Sequence, residues 1–352
     1  MKKISFRHDP ETGRLSEKDT KKYFSTIGFA VFSLVVVSVA ASFGVSFLIG
    51  AVAPKLFDNT IIRNIISIVC QYGIALPVAM IFLRKLPRDV NPSEPLGVKN
   101  WIGCLFLTFT FMSIGSYVSQ YIIMFFESML NRTLVNPVAD STVGNHWILN
   151  LIFVAIIPPI IEELVFRKLI CDRLLPLGEG YAVVLSALIF GAIHGNFFQF
   201  FYAFLLGLLF SAIYVKTGRI RYTIIYHAII NGLGGVFIPW LIEKLEPVLS
   251  DTELLSNAMD ALQSGNEAAI EELSGILAPY MPYVVMYGAY SVFELLAAFA
   301  GVFLLSGYLR KFKFRSGLLL PAKEGRIANV FCNVGVAAAV TSFVGLFLLS
   351  FI

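Results

Sequence analysis

A chain of 352 residues that is 57% hydrophobic and only 14% charged, with a mean hydropathy of +0.77, lies far outside the usage of soluble domains. It repeatedly supplies apolar runs of about 20 residues, the length that crosses a bilayer, so the expectation is an all-α polytopic membrane protein. The net charge of +4 follows from membrane topology, and no nucleic-acid partner is inferred from it.

The polar residues 1–23 precede a first apolar run too long for a signal-peptide core of ~7–15 residues, so that run is expected to stay attached. Membrane spans are predicted at 24–49, 61–83, 101–125, 147–171, 180–195, 197–216, 222–243, 280–309 and 328–352, a bundle of 8–9 helices. The fifth is short enough to be tilted or half embedded. Lys and Arg alternate between the spans. Seven lie before the first span, and the connections carry one (Lys55), four (Arg84, Lys85, Arg88, Lys99), one (Arg132), three (Arg167, Lys168, Arg173), none, three (Lys216, Arg219, Arg221), one (Lys244) and six (Arg310, Lys311, Lys313, Arg315, Lys323, Arg326). The positive-inside rule then predicts a cytoplasmic N-terminus and an extracytoplasmic C-terminus.

Four cysteines, Cys70, Cys104, Cys171 and Cys332, form no C-x-x-C pair and give neither a disulfide framework nor a thiolate metal site. The connection 244–279 is acidic, with seven carboxylates against Lys244 alone. It is expected to be helical, because Ser250 to Glu253 reads as a capping box and Leu255, Met259 and Leu262 recur at helical spacing. Such a segment either lies as a hairpin on the outer surface or covers the membrane domain as a lid.

The fourth span contains "IIPPIIEELVFRKLI", Ile156 to Ile170. An ionisable side chain at the middle of a span costs about 2.5–3.5 kcal/mol on insertion scales, so Glu162, Glu163 and Arg167 need partners. Glu163 and Arg167 are four apart and can pair on one helical face. Glu162 is rotated about 100° from Glu163, and its own i+4 neighbour is Phe166, so it must look across the bundle. Of four histidines, His8 is in the polar N-terminus and His146 at the edge of a span, whereas His194 and His227 lie within spans. His227 and Asn231 share a face in "HAIIN", and His194 follows Phe190 by four in "FGAIH". A glutamate and a histidine can polarise water for attack on a carbonyl, and a second histidine with an amide can donate to the developing oxyanion. Pro158 and Pro159 free backbone carbonyls at membrane depth, tolerable where a polar, water-filled cavity or neighbouring protein receives them, though a simple kink accounts for them as well.

The ordered motifs E-E-x-x-x-R (Glu162, Glu163, Arg167), F-x-x-x-H (Phe190, His194) and H-x-x-x-N (His227, Asn231) resemble the CPBP intramembrane proteases, which include CAAX prenyl endopeptidases and Abi-type bacteriocin-processing and immunity proteins. The resemblance covers residues 147–243, flanked by membrane helices over 24–125 and 280–352. It implies that Glu162 is the general base, that His194 helps to hold the water and that His227 and Asn231 stabilise the oxyanion. Glu163 and Arg167 become a supporting pair, and Phe190 a packing residue. The substrate it implies is a peptide or protein, prenylated or otherwise membrane-associated. It leaves the cofactor open between Zn²⁺ or another divalent metal and none, and Glu162, His194 and His227 are the residues that would supply a two-His, one-carboxylate metal site.

Upright helices would leave His227, Glu162 and His194 roughly 8, 14 and 21 Å above the cytoplasmic ends of their spans, so tilts and the proline break must bring them level. A cavity open to the cytoplasmic half is then expected. Two readings compete with hydrolysis. One is a transporter or proton relay, to which Glu294 in the eighth span would contribute, although no internal repeat is found. The other is a non-catalytic immunity or scaffold protein that keeps these residues unused.

Overall fold

The computed structural model describes residues 4, 6, 13–91, 93–323 and 325–351, together with their side chains except those of Phe57, Leu255 and Arg326; His8 lies outside the described residues. In chain order the helices are α1 (Glu17–Val52), α2 (Thr60–Leu83), α3 (Val98–Leu130), α4 (Pro137–Thr142), α5 (Trp147–Leu177), α6 (Glu179–Ala192) and α7 (Phe197–Thr217). They continue as α8 (Ile220–Leu249), α9 (Thr252–Ser264), α10 (Glu267–Leu277), α11 (Met281–Lys311), α12 (Arg326–Phe331) and α13 (Val334–Leu349). Among the described residues seven of these are long and apolar enough to cross a membrane, and α6 and α13 are shorter apolar helices. The first eight spans read from the sequence each correspond to a helix, the ninth is broken between α12 and α13, and the fold is an all-α polytopic bundle.

Polar side chains set the starts of several helices. Ser16, Asn196 and Asn333 accept from the backbone N–H groups of Asp19 (3.1 Å), Gln199 (3.0 Å) and Val336 (3.0 Å), satisfying donors that have no partner inside the helix. The capping box expected at Ser250 is not formed. Asp251 caps α9 instead, accepting from Leu254 N at 2.9 Å, while the Ser250 hydroxyl donates back to Glu246 O at the end of α8. A carboxylate one residue further on outcompetes the hydroxyl, since an ionised acceptor makes the stronger bond to a helix N-terminus. The hairpin of α9 and α10 is helical, as expected from its periodicity.

In lipid the helices cannot gather by burying apolar surface alone, so small residues bring backbones together. A Cβ on Gly115 of α3 would stand 2.3 Å from the Cα of Tyr202 in α7, and one on Gly28 of α1 would meet the backbone of Gly335 in α13 at 2.2 Å. These contacts lock α3 to α7 and α1 to α13. One end of the bundle collects the basic residues and is tied by polar bonds: Asp172 accepts from Tyr214 Oη (2.5 Å) and pairs with Arg88 (3.3 Å), Arg219 Nε donates to Ser93 (2.8 Å), and Glu179 pairs with Lys216. The connection bearing α4 and the acidic hairpin of α9 and α10 follow the opposite ends of α3 and α8.

Candidate active site

Helix α5 is not a regular α-helix. It contains π-helical stretches at Leu151–Ile156 and Leu164–Cys171, on either side of the segment that carries the two glutamates. Single π turns rotate the following residues and recur at functional sites. Pro158 has no N–H to offer the carbonyl four residues back, that of Val154, and its ring keeps the helix from closing there. Asn231 of α8 fills the vacancy: its Nδ2 donates to Val154 O at 3.0 Å. The proline break and the asparagine are thus two parts of one contact that fixes α8 against α5. The second N–H of the same amide remains, and Asn231 lines the cavity described below.

Glu163 and Arg167 are both completely buried. Arg167 Nε donates to Glu163 Oε2 at 2.8 Å and its Nη2 to Oε1 at 3.3 Å, while Nη1 donates to Ser186 Oγ (3.1 Å) and Ser211 Oγ (2.9 Å). The guanidinium also lies over the Phe190 ring, 5.2 Å from its centre. The pair expected from i, i+4 spacing is formed. What the spacing could not show is its next partner, His227, whose Nδ1 is 3.2 Å from Glu163 Oε1. With a fully buried carboxylate as partner, Nδ1 is a donor, and Nε2 faces Glu162 Oε2 at 3.7 Å.

Glu162 is turned away from this cluster, as the helical rotation requires, and retains 19% side-chain exposure. Tyr72 of α2 places its hydroxyl beside the same carboxylate. His194 does not lie inside α6. The helix ends at Ala192, and His194 stands in the turn before Asn196, so the fifth span is the short one it appeared to be. Its Nδ1 is 2.7 Å from Phe190 O. A carbonyl can only accept, so Nδ1–H is the donor and Nε2 holds a lone pair. Asn196 satisfies the carbonyl of His194 (2.7 Å) while it caps α7. Phe190 meets both imidazoles edge to face, with ring centres 5.1 Å from His194 and 5.7 Å from His227.

Glu162, His194, His227 and Asn231 all line one cavity of about 470 Å³, together with Phe190. Its direction corrects the sequence expectation. The other lining residues include Ser116 and Gln120 of α3, Asn136 to Val138 and Ser141 to Thr142 around α4, Val154 and Pro158 of α5, Phe198 and Gln199 of α7, and Gly234 of α8. These belong to the end of the bundle away from the basic clusters, so the cavity extends from the carboxylate toward α4 and not toward the basic end. Arg167, Phe166, Phe210 and Tyr226, each at most 2% exposed, close the space below. Among the described residues no group of three or more His, Cys, Asp or Glu side chains is arranged to hold a metal. The set Glu162, His194 and His227 does not fit one here, and no step below is routed through a metal. Glu294 stands apart from this cavity, 3.4 Å from Ser113 Oγ on the contact of α11 with α3.

The partners of Arg167 were missed by the sequence reading. Ser186 was accessible to it, because Ser186, Phe190 and His194 follow one another at intervals of four. Ser211 and Tyr72 belong to other helices, and spacing carries no sign of them.

A carboxylate, two imidazoles and an amide therefore line one walled cavity inside the helical bundle. The comparison with known proteins gives the particular class: residues 144–233, which include Glu162, His194, His227 and Asn231, match the Rce1-like type II CAAX prenyl endopeptidases. The resemblance drawn from the motifs is borne out by this match, which covers residues 144–233. The chain is 25% identical over 203 residues to the putative membrane peptidase YdiL of Bacillus subtilis (strain 168), covering 56% of this chain and 79% of that protein. It is 38% identical over 92 residues to the membrane-embedded CAAX protease MroQ of Staphylococcus aureus (strain USA300), covering 24% of this chain and 37% of that protein. No solved structure matches the chain significantly.

Proposed function

We propose that the chain is an intramembrane endopeptidase in which Glu162 activates water against a peptide carbonyl. The observation that carries this reading is the Glu162 carboxylate, partly exposed and facing His227 Nε2 at 3.7 Å, with His194 and Asn231 lining the same cavity. A water held between Glu162 and His194 gives one proton to the carboxylate and directs its other toward His194 Nε2. The resulting hydroxide adds to the scissile carbonyl. His227, its Nδ1–H fixed by Glu163 and a proton held at Nε2, donates to the oxyanion together with the second N–H of Asn231. The proton on Glu162 then passes to the leaving amine as the C–N bond breaks, so the carboxylate is regenerated. Glu163 acts through His227 and Arg167 through Glu163; both are positioning residues. The substrate is a membrane-associated or prenylated peptide or protein, which accords with the family match and with the printed name of the Staphylococcus relative.

The test is reconstitution of the purified protein in lipid with a library of short peptides, prenylated and not, with and without a chelator. Cleavage that disappears in Glu162→Gln supports the reading. Equal cleavage by wild type and Glu162→Gln sinks it.

A further inference from the structure

The chemistry above occupies only the inner end of the cavity, and the remainder has a composition of its own. Beyond the site, its polar lining is supplied by Ser116, Gln120, Asn136, Ser141, Thr142 and Gln199, and the ionisable side chains of the whole cavity are confined to Glu162, His194, His227 and Tyr202. Amides and hydroxyls both donate and accept, which suits the N–H and C=O groups of an extended peptide and offers a charged side chain no partner. Apolar contact comes from Met112, Phe153 and Phe198. At Gly234 a Cβ would meet nothing within 4 Å, so the wall there is open space.

Position along the helices gives the direction of entry. Gln120 is about 33 Å along α3 from Val98 at ~1.5 Å per residue, and α4 is part of the connection that follows α3. The opposite route is blocked by the fully buried Glu163 and Arg167 and by Phe210 and Tyr226, both at 0% exposure. Entry from the basic end would have to separate an ion pair held by four hydrogen bonds.

We infer that the substrate is a polypeptide segment presented on the face opposite the basic one, which the distribution of Lys and Arg makes the extracytoplasmic face. It passes α4 in extended form, with uncharged residues flanking the scissile bond. The inference rests on the peptidase reading and adds the side of approach and the class of sequence accepted.

The experiment starts from Cys332→Ser, since the other three cysteines are buried. Single cysteines are placed at Ser141 beside the mouth, at Gln120 within the chamber and at Lys311 at the basic end, and intact cells are treated with a membrane-impermeant maleimide carrying a polyethylene glycol chain. Ser141→Cys is expected to be modified in intact cells and Lys311→Cys only after lysis. In purified protein, modification at Ser141→Cys should lower peptide cleavage at least tenfold, and modification at Lys311→Cys should leave it unchanged. Peptides carrying Lys or Asp beside the scissile bond should be cleaved at least tenfold more slowly than the neutral parent. The reverse labelling pattern, or undiminished cleavage with Ser141→Cys blocked, overturns the inference while leaving the peptidase reading intact. A wild type that cleaves no peptide overturns the peptidase reading and the peptide part of the inference, and labelling of Gln120→Cys then decides the direction of the cavity alone.

Discussion

The substitution Arg167→Met removes a guanidinium that makes four hydrogen bonds with no exposed atom: two to Glu163, at 2.8 and 3.3 Å, and one each to Ser186 and Ser211. Methionine is shorter by two heavy atoms but fills the space of the aliphatic stem, so the lost charge compensation is the larger part of the effect. What remains is a fully buried carboxylate with only His227 Nδ1–H as partner, at 3.2 Å. Breaking a buried pair from one side costs about 3–5 kcal/mol, because the surviving charge keeps its desolvation penalty and loses its compensation. The same loss is expected for Glu163→Met, whereas the double variant removes both charges and should recover at least half of it. With each single loss at about 3 kcal/mol and the double at no more than about half of one, the coupling between the two substitutions would be at least about 4 kcal/mol, well above the scatter of independent sites. The assay is unfolding in mixed micelles by titration with denaturing detergent, followed by circular dichroism, for wild type, both single variants and the double. Single variants within about 1 kcal/mol of wild type, or losses that simply add, would refute the claim that this pair is a compensated charge centre. Peptide cleavage should fall in both single variants, since Glu163→Met removes the partner that fixes His227 and Arg167→Met removes the pair that fixes Glu163.

Glu162→Gln should retain wild-type unfolding and lose turnover by at least a thousandfold, because an amide of the same shape cannot take a proton from water; turnover comparable to wild type eliminates the general-base role. Asn231→Ala should lower kcat about 10²–10³-fold with little change in KM, as expected for a donor used in the transition state, and near-normal kcat on steady-state comparison would return Asn231 to a purely structural role. Pro158→Ala restores an N–H opposite Val154 O and competes with Asn231 for that carbonyl, so kcat should drop while thermal stability holds or rises; unchanged kcat would show that the Asn231–Val154 contact does not position the amide. Gly234→Met should raise KM with little change in kcat, because its side chain enters open space beside the site, and an unchanged KM would place the substrate elsewhere.

The spans and the Glu163–Arg167 pair were legible because each rests on a local periodicity: twenty apolar residues for a crossing, four residues for one face of a helix. The same rotation correctly sent Glu162 away from Arg167. The convergence of the motifs was legible only in outline. Straight helices put His227, Glu162 and His194 at different depths, and the terms that bring them together are not local. One is the π-helical winding of α5, another the end of α6 at Ala192, and a third the bond from Asn231 to a carbonyl that Pro158 leaves free. The direction of the cavity was misjudged for a related reason. Depth along a single helix says where a residue sits but nothing of which side is filled, and here Phe166, Phe210 and Tyr226 from three helices fill the basic side.

That one-sided filling bears on the choice between hydrolysis and proton relay. A relay or an alternating-access carrier needs titratable or hydrated groups that communicate with both faces, in turn or through a chain. In this bundle the series from the cavity runs Glu162, His227, Glu163, Arg167 and ends at Ser186 and Ser211, beyond which Ser186 donates to the backbone of Phe166. The last titratable step is an arginine, which does not release its proton, and a fully buried one at that. Glu294, the carboxylate that would best serve a relay, is outside the cavity lining. A hydrolase makes the opposite demand. It needs a chamber open on one side to substrate and water and closed on the other, where fixed charges hold an imidazole against the place where negative charge develops. The buried pair at the floor of this cavity meets that demand and blocks the first.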